Sequence, residues 1–303
     1  MSIKSIKEDG VKMNIEKFTS CAEKMRVLGI IVEQNGKVLA RYTSEPPCRR
    51  NVYSVSKSFT STAVGIAVRE GLLSLEEPLC EAFKEDVPNE ISPYLEKAKV
   101  RDLLTMSLGQ AKPFLMGADR PYYEEHDWVK LALKQEFDSF PGEKFIYNNA
   151  GPYLAGVLVQ RRSGTDLVHY LMPRLFEPMG ITLPTWEVDP LGRTFGAGGL
   201  FLTLDELHKF TRLYLANGSC DGKQLVPKEW VSEASRKQVD NGSFGYGYLF
   251  WRGADNSYRA DGKYGQFCIV YPDKNACITV VSESRNATEI LKSIHENIVP
   301  QFE

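Results

Sequence analysis

The stretch that decides the reading of this chain is residues 53–73, YSVSKSFTSTAVGIAVREGLL. Its composition is that of a buried helix, closed by Gly71 in a glycine C-cap pattern. Yet Ser54 and Lys57 stand at its start, three positions apart. That spacing puts both side chains on one face of a helix. Lysine is among the residues least often fully buried, so an amine inside an apolar helix needs a reason. The bland reading is a capping serine and a lysine whose stem runs along the apolar surface to solvent. The chemical reading is a nucleophile and its base. A serine hydroxyl attacks only when its proton is removed, and a desolvated amine loses charge and can remove it. The start of a helix adds backbone N–H groups and a positive dipole end, which suit a developing oxyanion.

Outward from this segment, VLGIIVEQNGKVLARYT (27–43) reads as a hairpin turning at Asn35-Gly36. Residues 13–25 read as an amphipathic helix. From about 76 to 190 the pattern is helical and proline-interrupted, with helices predicted around 99–109, 126–137, 150–164 and 166–180. A helix over 205–217 follows. FGYGYLFW (244–251) alternates like a strand, YRADGKYGQFCIVYP (258–272) and ACITVVSES (276–284) read as two antiparallel strands, and a helix from about 288 to 299 closes the chain. Strands cluster at both ends. The predicted class is α+β: an antiparallel sheet built from both chain termini and flanked by helices (1–75 and 191–303), plus a mostly helical inserted domain (76–190), with the active site in the cleft between them.

The chain has 303 residues, 43% hydrophobic and 25% charged, with a formal net charge of −2. Nothing in it suggests a polyanion partner, so no nucleic-acid binding is expected. The first residues carry charges throughout and no apolar leader core, and no apolar run is long enough to cross a membrane, so a cytoplasmic protein is expected. The six cysteines show no CxxC and read as free thiols. The four histidines stand at no ligand spacing, so neither metal nor cofactor is expected. A Ser-His-Asp triad has no GxSxG to support it. The sequence leaves oligomeric state open.

Two further patterns join the first. FIYNNAG holds the only Y-x-N of the chain, Tyr147 and Asn149, just before a predicted helix. A tyrosine near a lysine can act in proton transfer, and an asparagine amide can hold a substrate or orient the amine. The plain reading is a packing tyrosine and an N-cap asparagine. Gly262 and Gly265 in ADGKYGQF suggest close approach of backbone to a ligand, or simply a bulge. Tyr246, Tyr248, Phe250 and Trp251 read as sheet packing, and Tyr122, Tyr123 and Trp128 as helical-region aromatics that pack or wall a cleft.

With these three elements in this order, the chain resembles the serine β-lactamase and D-alanyl-D-alanine-peptidase-like hydrolases. The likeness is greatest to the branch holding class C β-lactamases, family VIII esterases and 6-aminohexanoate-dimer hydrolases. It covers nearly the whole chain, through YSVSKSFTSTAVGIAVREGLLSLEEPL, VRDLLTMSLG, PGEKFIYNNAGPYLAGVLVQRRSG, GAGGLFLTLDELHKFTRLYLANGSCDGKQLVPKEWV and YGYLFW. The resemblance implies Ser54 as acylated nucleophile, and Lys57 sharing its proton with Tyr147, which acts as base. It implies Asn149 at the substrate's acyl side, Gly262 as the third-motif glycine, and Lys263 as the backbone donor that completes an oxyanion hole with the Ser54 N–H. Many penicillin-recognising members carry Lys or His, then Thr or Ser, before that glycine. Here Ala260-Asp261 supplies no cation and adds an acid. The implied activity is therefore ester or small-amide hydrolysis on a small-molecule substrate. The alternatives are β-lactamase or penicillin-binding activity, and a non-catalytic binding protein that keeps the fold.

Overall fold

The computed structural model describes residues 13–303. The charged stretch read above as no leader lies largely outside them. The central sheet has six antiparallel strands in the order β2-β1-β11-β10-β9-β8. Their ranges are β1 Val27–Gln34, β2 Lys37–Thr43, β8 Trp251–Arg252, β9 Tyr258–Gly262, β10 Gln266–Tyr271 and β11 Ala276–Ser282. Both ends of the chain supply it, as the sequence predicts. A second sheet joins β3 (Arg50–Asn51), β5 (Leu200–Leu202) and β4 (Thr185–Trp186), in that order. A two-stranded ribbon, β6 (Ser219–Cys220) with β7 (Lys223–Gln224), completes the strands among the described residues.

The hairpin between β1 and β2 turns through Asn35 (φ +53°) and Gly36 (φ +74°), two consecutive left-handed residues that match the twist of the flanking strands. β1, β10 and β11 are almost wholly buried because helices cover both faces. The Leu204–Leu215 helix, started by a reciprocal Thr203/Glu206 capping box, packs on one face. The Glu16–Ala22 and Ala287–Asn297 helices pack on the other, around Phe18, Ile30, Phe267 and Ile294.

The Ser56–Arg69 helix is buried from Ser56 to Ala67 on every side. Its polar residues are therefore obliged to find partners. Ser58 donates to Leu249 O (2.8 Å), Thr60 to Gly196 O (2.8 Å), and Thr62 pairs with Tyr214 Oη (2.7 Å). One continuous apolar core surrounds this helix and includes residues from Ile31 to Val281, taking in Leu103, Trp128, Tyr153 and Phe176 of the helical region. Sheet and helical region thus share this core, and the far face of the sheet has a second cluster of its own.

Two strand expectations are corrected. Residues 244–250 form no strand: Leu249 has φ +64°, and the segment makes only isolated bridges, Val239 with Tyr246 and Tyr246 with Trp251. The alternation there reflects burial of Tyr246, Tyr248 and Phe250 in an irregular loop, not a pleat. Residues 258–272 are two strands, not one, because Tyr264 (φ +64°) and Gly265 (φ +85°) turn the chain back on itself. The expected helix over 99–109 is a short 3-10 turn, Val100–Leu104. The one over 166–180 runs as Leu167–Leu171 followed by a π-type turn, Met172–Phe176.

The Ala150–Ser163 helix lies against the Val100–Leu104 turn so closely that a Cβ on Gly151 would stand 2.5 Å from Leu103 O. Backbone meets backbone there, so neither side can yield by a rotamer change. Gly151→Ala is expected to lower the unfolding free energy by roughly 1–3 kcal/mol, measured by urea denaturation; an unchanged midpoint would show that the two elements can separate freely.

Candidate active site

Ser54 lies in a 3-10 turn, Tyr53–Val55, that feeds directly into the Ser56–Arg69 helix. The turn is strained at its first residue: Tyr53 has φ +49°, which costs a bulky residue about 1–3 kcal/mol. Three hydrogen bonds hold it. Tyr53 N donates to Asn51 Oδ1 (2.7 Å), Ser56 Oγ to Tyr53 O (2.6 Å), and Leu200 N to Ser56 Oγ (3.1 Å). The last bond ties the turn to β5. Ser54 is half-buried, in contrast to the fully buried helix that follows it.

Lys57, one helical turn on, is 1% exposed. Its amine donates to Ser54 Oγ at 3.0 Å, Asn149 Oδ1 at 2.6 Å and Ala197 O at 2.7 Å. No carboxylate is among these partners. Burial, with the positive charge of Arg120 adding to it, lowers the amine to about 7. In the neutral form it keeps two N–H bonds, to Asn149 and Ala197, and turns its lone pair to the Ser54 hydroxyl. Snorkelling to solvent, the plain reading of Lys57, does not occur.

Tyr147 and Asn149 reach the site from the segment before the Ala150–Ser163 helix. The Lys57 amine lies 5.1 Å from the centre of the Tyr147 ring. Burial pushes the phenol up to about 12, with the Ser54 hydroxyl pulling the other way and the Asp261 charge adding to the rise. Near neutral pH the phenol thus keeps its proton, while the amine stands close to its own titration. Asn149 takes the amine on its oxygen and donates through Nδ2 to Leu115 O at 2.9 Å. It is not a capping side chain, and in this structure its amide oxygen orients the lysine.

Gly262 ends β9. A Cβ there would stand 2.3 Å from Val52 O, so the close approach is to the backbone leading into Ser54 rather than to a ligand. Gly265 likewise faces protein, Ile290 and Ser282. β9, which ends one residue before Lys263, packs on this turn. The Lys263 side chain is exposed and its amine lies 5.0 Å from the centre of the Tyr264 ring. Asp261 pairs with Arg259 (Nε to Oδ1 2.9 Å), and burial raises its carboxyl to about 6 against the pull of that arginine.

Several residues of this constellation stand outside the sequence motifs. Ala197 contributes only a carbonyl, signalled in the sequence by nothing but the glycines around it. Trp251 stacks on Tyr147, centroids 5.4 Å apart, and is the member of the 246–251 aromatics that walls the site. Tyr122 is 83% exposed, whereas Trp128 is buried against Phe195 and Tyr153. The buried histidine, His208, bonds Glu33 and Thr279 under the sheet and takes no part. Among the described residues no cluster of His, Cys, Asp or Glu could hold a metal ion, and no helix is long and apolar enough to cross a membrane.

A family model described as Beta-lactamase matches residues 22–299. Lovastatin esterase of Penicillium rubens is 28% identical over 57% of this chain and 56% of its own length. The 6-aminohexanoate-dimer hydrolase of Paenarthrobacter ureafaciens is 25% identical over 66% of this chain and 55% of its own. The chain thus spans little more than half the length of these two relatives. A solved structure described as a putative 6-aminohexanoate-dimer hydrolase from Bacillus anthracis superposes with a TM-score of 0.78 at 18% identity, over 93% of this chain and 83% of that one. It speaks to the fold alone.

The buried amine has a thermodynamic signature. Its value is about 7 in the folded chain against about 10.4 unfolded, so the unfolded state binds the extra proton between those limits. Folding stability from this group is therefore lost as pH falls from above 10 towards 7, at up to about 1.4 kcal/mol per pH unit. Urea denaturation of wild type and Lys57→Met at pH 7 and 9.5 should show wild type gaining on the variant at the higher pH; a gap independent of pH would mean the amine is not depressed.

Proposed function

The chain belongs to the Beta-lactamase family. We propose that it is a serine hydrolase that forms an acyl-enzyme on Ser54 from a small ester or amide. The observation that supports this most directly is the buried, uncharged-prone Lys57 amine, 3.0 Å from the Ser54 hydroxyl and held on its other two sides by Asn149 and Ala197. A binding protein without chemistry has no use for so costly an arrangement.

In this reading the neutral Lys57 amine takes the Ser54 proton as Oγ bonds to the substrate carbonyl carbon. The carbonyl oxygen becomes an oxyanion, received by the backbone N–H groups of Ser54 and Lys263. Tyr147 gives its phenolic proton to the departing alkoxide or amine as the C–O or C–N bond breaks, and recovers one from the Lys57 ammonium. Water then attacks the acyl carbon, its proton passing back through the same pair. Ser54 leaves with a proton and the carboxylic acid departs. Asn149 keeps the amine in register, and its second amide proton is free for the acyl group.

The site would lie between the sheet lobe (1–75 and 191–303) and the helical lobe (76–190). Asp261, at the position beside Gly262 where penicillin-recognising relatives carry a hydroxyl, disfavours a substrate carboxylate there, which supports esters and small amides over β-lactams. A cytoplasmic setting fits such small substrates.

A fluorophosphonate probe is expected to add mass at Ser54, and Ser54→Ala to abolish labelling; labelling retained in that variant refutes the assignment. On p-nitrophenyl esters, kcat/KM should fall tenfold per pH unit below about 7, as Lys57 protonates. Tyr147→Phe should cost on the order of 10²–10⁴ in rate. Hydrolysis that is flat from pH 5 to 9 would remove the lysine from the role of base.

A further inference from the structure

The carbonyl of Ala197, the third partner of Lys57, sits in the loop 187–199 that joins β4 to β5. Within the loop, Glu187 N donates to Gly199 O (2.9 Å), Phe195 N to Glu187 O (2.8 Å) and Ala197 N to Phe195 O (2.7 Å). Gly199, at φ +82°, lies so close under Glu187 that a Cβ there would stand 2.3 Å from the Glu187 Cβ. Where Ala197 O points therefore depends on where Glu187 and Phe195 stand.

Arg120 grips both. Its Nη1 donates to Glu187 Oε1 at 2.6 Å, and its guanidinium carbon lies 4.2 Å from the centre of the Phe195 ring. The side chain is 18% exposed, and its Nε is buried with no hydrogen-bond partner. Leaving such a donor unpaired is costly, so the guanidinium stands there despite one unmet bond. It is also the charge that, after burial, most lowers Lys57. The other groups facing the amine are Ser54, the Tyr147 phenol and the Asn149 amide. Glu187 is paired to Arg120 itself, and Asp261 acts on Tyr147 from β9.

We propose that Arg120 is a positioning residue for Lys57: its bond to Glu187 and its contact with the Phe195 ring fix the 187–199 loop so that Ala197 O meets the amine, and set its permanent charge on that side of the amine. The catalytic consequence rests on the hydrolase reading above; the effect on the amine does not.

The test is an NMR titration of protein carrying 13Cε-lysine, with the Lys57 signal assigned by its absence from Lys57→Arg. Wild type should titrate near pH 7. Arg120→Met should move the midpoint up and make the ratio of kcat/KM at pH 6 to that at pH 9 about threefold or more smaller than the wild-type ratio. Arg120→Lys, which restores the charge without the planar guanidinium against Phe195, should bring the midpoint back while the high-pH plateau stays below wild type and KM changes little. A folded Arg120→Met with an unmoved midpoint overturns the proposal. Should that variant not fold, Glu187→Gln removes the acid and keeps the cation; its midpoint is expected at or below wild type, and a rise overturns the proposal. Absence of fluorophosphonate labelling at Ser54 in wild type would defeat the hydrolase reading, while the midpoints would still decide the role of Arg120.

Discussion

Everything at the site depends on one buried nitrogen. An amine taken out of water must be paired with an anion, lose its proton, or carry a large desolvation penalty. The Lys57 amine has no carboxylate among its hydrogen-bond partners, only a hydroxyl, an amide oxygen and a carbonyl. Those neutral acceptors satisfy two N–H bonds and leave a lone pair directed at Ser54. A carboxylate in place of Asn149 would hold the amine protonated and destroy its basicity. In the proposed reading the asparagine matters as much as the lysine, because it accepts a hydrogen bond without supplying a charge.

That arrangement sets demands on distant segments. Ser54 and Lys57 come from the start of the buried helix, Asn149 and Tyr147 from the approach to the Ala150–Ser163 helix, and Ala197 from the loop after β4. The small sheet β3-β5-β4 ties the first and third of these together, since β3 leads into the Ser54 turn and β5 begins just after the Ala197 loop. Gly262 then lets β9 close against Val52. Strain at Tyr53 and burial of Lys57 both cost folding free energy, and the core shared by sheet and helical region offsets them.

The parts of this visible in the sequence are those with local signatures. The Asn35-Gly36 turn, the Gly71 and Gly164 helix ends and the S-x-x-K and Y-x-N spacings are all written within a few residues. What was not legible depends on partners far along the chain. Ala197 acts through a backbone carbonyl, which leaves no mark on residue type. Trp251 looked like one aromatic in an alternating run, yet that run is an irregular loop, because Leu249 takes a left-handed conformation that alternation cannot reveal. Gly262 signals close approach, but the sequence does not say to what. Arg120 stands in no motif, and only the fold shows that it lies over the Phe195 ring.

The shared core also bears on how such a site would work. Where two lobes have separate cores, a hinge can close one upon the other, and catalytic groups can assemble on binding. Here Phe59, at the centre of the buried helix, stacks on Phe210 of the sheet-covering helix at 3.8 Å and on Phe176 of the helical region at 6.0 Å. A relative motion of the lobes would have to break that packing, and close-packed interiors resist continuous deformation. The three partners of Lys57 come from the buried helix, the approach to the Ala150–Ser163 helix and the 187–199 loop of the chain itself, so folding builds the geometry. A preformed site of this kind stabilises developing charge without reorganising at the moment of reaction, and the strain at Tyr53 is borne before any substrate arrives.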